Sequence, residues 1–83
     1  MSDFEILKIY VDNEIEWLTK PSHNYTKEDV TKCLERSFGA VMFYLTCHAG
    51  DYEKVDKWWN PKRDEFWELR EKAPTKKGWK KNG

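Results

Sequence analysis

The sequence predicts an all-α fold, a compact bundle of three long helices with the third kinked or broken at Pro61, giving three to four helices. Three observations predict it. Apolar residues recur at spacings of three and four through most of residues 2–73, the period of a helix with one buried face. Residues suited to capping a helix N-terminus stand at Ser2, Thr26 and Asp51, each just ahead of such a stretch. Pro21, Gly50 and Pro74 close the stretches, and each disfavours helix continuation.

In the first stretch Ser2 and Glu5 have the spacing of a capping box. Phe4, Leu7, Val11, Ile15 and Leu18 form the apolar stripe, and Ile6 and Tyr10 widen it. Asp3 and Glu5 suit the positive end of the helix dipole. Pro21 ends the helix at Lys20, and residues 21–25 read as a loop.

The second stretch spans residues 26–48. Thr26 and Asp29 form a weaker capping box. Val30, Cys33, Leu34, Phe38, Val41, Leu45 and His48 make one stripe, and residues 37–50 contain no Asp, Glu, Lys or Arg. The run 38–45 is apolar on every face, which predicts a surrounded, central helix. A buried strand over 41–48 is the competing reading, because β-branched and aromatic residues are present; the length and the capped start favour the helix. Gly39 weakens such a helix by about 1 kcal/mol relative to Ala, while leaving room for a second helix to approach.

Gly50 and Asp51 read as a tight turn, C′ residue then N-cap, so that the second and third helices are antiparallel neighbours. Tyr52, Trp59, Phe66 and Ala73 recur every seven residues, with Val55, Lys62 and Leu69 at the second seam position. Pro61 cannot donate to the Lys57 carbonyl. The Asn60-Pro61 step favours a turn, so the reading leans to a break there. Residues 1–74 form the single helical domain, and residues 75–83 a flexible basic tail.

Composition limits the function. Eighty-three residues make one domain, and five Trp, four Tyr and four Phe are too many aromatics for a disordered chain. The net charge of zero hides an asymmetry: residues 1–71 carry fifteen acids against ten bases, and Lys72, Lys76, Lys77, Lys80 and Lys81 make up the difference. That distribution excludes a uniformly basic nucleic-acid-binding body. No stretch reaches the roughly 20 apolar residues of a membrane span, and Asp3 and Glu5 stand where a signal peptide has cations. A cytoplasmic protein with no membrane partner is expected.

Sites for chemistry are few. His23, Cys33, Cys47 and His48 are zinc-ligand types, but Cys33 and Cys47 lie about 21 Å apart along one helix, too far to share an ion or a disulfide. Cys47 and His48 point about 100° apart on a helix and do not form a nucleophile–base pair. Both cysteines read as small core residues. Asp64 and Glu68 read as a solvated face beside Lys62, Arg63 and Lys72. No phosphate-binding glycine loop or hydrolase motif is present. The expectation is no enzyme, no cofactor and no metal.

Trp17, Trp58, Trp59, Trp67 and Trp79 cannot all fit one buried stripe. Trp58 and Trp67 lie off the seam and are the candidate partner-binding residues, since exposed Trp anchors interfaces. In the tail, Lys76, Lys77, Lys80 and Lys81 flank Trp79, a pattern suited to weak, non-specific contact with phosphate and an unpaired base. The expected function is therefore a protein–protein interaction module (adaptor, regulator or inhibitor) that binds another protein or a second copy of itself as a homodimer. The alternative is a nucleic-acid accessory protein acting through the tail.

Overall fold

A computed structural model describes residues 1–20 and 24–75. Its elements are α1 (Asp3–Thr19), α2 (Lys27–Cys47), a single 3-10 turn (Ala49–Asp51) and α3 (Tyr52–Lys72). The chain is all-α, and a three-helix bundle describes it.

The two predicted capping boxes are both complete. Ser2 Oγ accepts from the Glu5 backbone N–H while the Glu5 carboxylate accepts from the Ser2 N–H. Thr26 and Asp29 make the same reciprocal pair, which satisfies two N–H groups otherwise left without partners.

Three pairs of side-chain contacts set the topology. Asp3 pairs with His48 and Glu14 with Arg36, so α1 and α2 run antiparallel. Arg70 donates to Thr31 and Trp59 packs on Phe38, so α2 and α3 run antiparallel. Phe4 packs edge-on against Trp58, and Lys62 pairs with Asp12, placing α1 and α3 side by side in the same direction. The C-terminus of α3 is tied to the start of α2: Lys27 donates from Nζ to the Arg70 and Glu71 carbonyls and from its backbone to Pro74. A cation at the negative end of a helix is a favourable placement.

The core is one cluster of Leu7, Val11, Ile15 and Leu18 from α1, Val30, Cys33, Val41 and Tyr44 from α2, and Val55, Trp59 and Phe66 from α3, closed by Ala73. Each fully buried large side chain contributes about 1.5–3 kcal/mol.

Several expectations are corrected. The lean towards a break at Pro61 is overturned: α3 runs without interruption through it. Pro61 is exposed, and Trp59 and Phe66 on either side are anchored in the core, so one lost backbone bond is offset by packing. The second helix is central but not surrounded. Three helices give α2 two neighbours, and its remaining side faces solvent, leaving Phe38 49%, Met42 48% and Phe43 71% exposed. Its buried stripe is Val30, Cys33, Ser37, Val41 and Tyr44; Phe38 and His48 fall outside it, because the stripe turns towards Ser37 and Tyr44. Tyr52 is not a seam residue but 60% exposed, one turn before the core begins at Val55. Cys47 is exposed, against the core role expected of it. Asp51 precedes α3 without capping it through its side chain.

Candidate interaction surface

Helix periodicity sorts α2 into two faces. Gly39, Met42, Phe43, Thr46 and Cys47 lie opposite the buried stripe and are all exposed. This crest needs no charge to stay helical, because the helix is held by its Thr26 cap and by the core on the other side. On its α1 flank an apolar groove of about 470 Å³ is lined by Ile6, Leu7, Tyr10, Ala40, Phe43 and Tyr44, with Asp3, Cys47 and His48 at its end. The α3 flank carries a smaller recess of about 150 Å³ bordered by Phe38, Met42 and Tyr52. Crest and grooves form one continuous apolar strip across the C-terminal half of α2.

Gly39 sits on this crest. Among the described residues nothing lies within 4 Å of a Cβ built there. The missing side chain is therefore not required by any of those residues.

Polar contacts brace the two ends of the strip. Tyr44 donates its hydroxyl to Asp51, whose carboxylate is thereby held below its usual pKa, while the tyrosine is pushed up to about 12 by that bond and by burial. His48 stacks on Tyr44 with ring centroids 4.4 Å apart and reaches Asp3 Oδ2 at 3.2 Å. Further along, Arg36 clamps Glu14 through two bonds of 2.9 and 3.3 Å. Burial raises the Glu14 pKa, but the bonds from Arg36 and Cys33 outweigh it and the net shift is downward. Burial and the adjoining Glu14 carboxylate push the Cys33 thiol up to about 12, the opposite of the electropositive setting that activates a thiol.

Among the described residues no three His, Cys, Asp or Glu side chains converge as a metal site would need, and no helix is long and apolar enough to cross a membrane. Cys33 and Cys47 are both free thiols, one buried and one exposed. No hydrogen bond between Cys47 and His48 is present among the described residues.

Of the two tryptophans singled out by sequence, Trp58 is half-buried, its ring edge-on to Phe4 at 5.7 Å and packed on the core. Trp67 is 48% exposed with the Arg70 guanidinium 5.7 Å from its ring. It lies two turns beyond Trp59, away from the apolar half of α2. The two are not brought together. Lys76, Lys77, Trp79, Lys80, Lys81 and also His23 lie outside the described residues. Sequence reasoning missed Phe43, Met42 and Gly39 as surface residues, although the charge-free run was visible; it had assigned that run to the interior. No family model matches the chain, and neither does any curated protein or solved structure with which it was compared.

Proposed function

We propose that this chain is a non-catalytic helical interaction module that works by occlusion or scaffolding through the crest of α2. One observation supports the reading above the rest. Residues 37–50 contain no Asp, Glu, Lys or Arg, yet Phe38, Met42 and Phe43 within them are about half exposed or more. Together with Ile6 and Tyr10 they leave roughly 500 Å² of apolar surface in water, taking side chains of about 200 Å² each. The largest apolar patch on a typical monomer covers about 300–600 Å² and is often functional. The rest of the surface is heavily charged, as interface rims are. Trp67 is a separate exposed aromatic and belongs to the opposite end of the bundle.

The test is a photo-reactive phenylalanine analogue placed at Phe43 and, as control, at the exposed Glu68, in the full chain expressed in its native host. Irradiation is expected to yield a covalent adduct of defined mass from position 43 and none from position 68. Equal labelling from the two positions, or none from 43, overturns the reading.

A further inference from the structure

We propose that the crest of α2 is the interface of a two-fold homodimer in which Phe43 of each chain seats over Gly39 of the other. The proposal rests on the interaction-module reading above and names its partner as a second copy.

Three features of the chain lead there. The first is Gly39 itself. Glycine in an exposed helix interior costs about 1 kcal/mol relative to alanine. Among the described residues nothing approaches the empty Cβ position within 4 Å, so the three helices draw no benefit from that cost. A close-packed neighbour on the outside would. The second is order along the helix. On the crest the smallest residue, Gly39, comes first and the most exposed large one, Phe43, follows one turn later. A two-fold axis crossing α2 at the level of Val41 makes the two copies antiparallel and sets each residue against the one equally far beyond the axis. Gly39 then faces Phe43. The largest exposed side chain of the crest meets its smallest residue, twice, by one symmetry operation, as an isologous interface requires. A parallel pairing in register would instead set Phe43 against Phe43 and leave the gap at Gly39 open. Interhelical distance depends on the side chains at the crossing, and glycine permits the shortest.

The third feature is area. The roughly 500 Å² of apolar surface on the strip is most of the approximately 800 Å² that each partner contributes to a standard interface. Exposed Glu35 and Arg36 stand just ahead of the crest on α2 and Thr46 near its far end, and they supply its polar groups. A foreign amphipathic helix would fill the grooves equally well, but it would not account for the chain carrying both the knob and the hole.

The experiment is sedimentation equilibrium of the full chain over a concentration series, with circular dichroism on every variant. The wild type is expected to associate to twice its 10.1 kDa mass. F43D, a charge on a side chain that the monomer leaves 71% exposed, is expected to weaken association by about 100-fold or more while remaining helical. G39F overfills the contact and weakens association by about tenfold or more; F43A leaves a void and also weakens it. The double variant G39F/F43A exchanges knob and hole and is expected to recover association to at least tenfold above G39F, a rescue specific to this two-fold register. A wild type that stays monomeric throughout overturns the proposal. So does a dimer that F43D leaves intact, or one whose double variant is no better than G39F. The two readings fail separately: an adduct from position 43 of a mass other than the dimer, with a monomeric purified chain, removes the homodimer and leaves the interaction module, whereas no adduct removes both.

Discussion

Ser37 shows at the scale of one side chain how the fold tolerates a local defect. It is fully buried in the middle of α2, and its hydroxyl has no hydrogen-bond partner among the described residues. Leaving a buried hydroxyl unsatisfied costs about 1–3 kcal/mol. Serine is the smallest polar residue that fits here, and helix periodicity puts position 37 between Cys33 and Val41, both buried. Ser37→Ala is therefore expected to stabilise the domain by about 1 kcal/mol, read as a higher denaturant midpoint with an unchanged slope. A drop in stability of similar size would show that the hydroxyl is satisfied, and that its role in the core is structural.

Pro61 poses the corresponding question for an element. Inside a helix, proline costs about 3 kcal/mol relative to alanine, a net value that already includes its restriction of the unfolded chain. Pro61→Ala should then raise stability by up to about 3 kcal/mol, or on the order of 10–20 °C in melting temperature for a domain of this size. A loss of stability would mean that the proline shapes α3 so that Trp59 and Phe66 can both reach the core. Much of each element could be read in the sequence. Ser2–Glu5 and Thr26–Asp29 fixed two helix starts, and the three-four spacing named the four buried residues of α1, Leu7, Val11, Ile15 and Leu18, whereas Phe4 of the same stripe is half-buried and Ile6 and Tyr10, read as widening it, are exposed. Two things could not be read. An Asn-Pro step has a local preference for a turn, and only the long-range anchoring of Trp59 and Phe66 overrides it. An all-apolar run looks the same whether it is surrounded by its own chain or by something else, and this hid the exposure of Met42 and Phe43. The interaction surface was legible as a missing charge and illegible as a location. The aromatic surplus pointed instead to Trp58, which turned out to be half-buried against Phe4 and the core.

For the molecule as a whole, two braces hold the helices in register, and both titrate. Glu14 with Arg36 ties α1 to α2, and Tyr44 with Asp51 ties α2 to the turn that launches α3. The Glu14 and Asp51 carboxyls have folded pKa values below their unfolded ones. The unfolded chain therefore binds protons more readily, and their contribution is complete above the ordinary carboxylate range, about pH 4, and lost as pH falls through it. Tyr44 has the opposite sign. Its folded pKa is raised to about 12, so its contribution is complete below the ordinary tyrosine value, near pH 10, and disappears as pH rises towards 12. Denaturant midpoints measured against pH should thus form a plateau that falls at both ends. Glu14→Gln is expected to flatten the acid fall and, because the Glu14 carboxylate helps to raise the buried Cys33 thiol, to ease the alkaline one. Tyr44→Phe should remove the Tyr44 share of the alkaline fall, leaving that of Cys33, and also part of the acid fall, because the Tyr44 hydroxyl is the main cause of the low Asp51 pKa. That double effect from one hydroxyl separates a real brace from general charge repulsion, which Tyr44→Phe leaves untouched at low pH. An acid limb identical in wild type and Tyr44→Phe would show that the Tyr44–Asp51 contact contributes nothing to holding the second and third helices together.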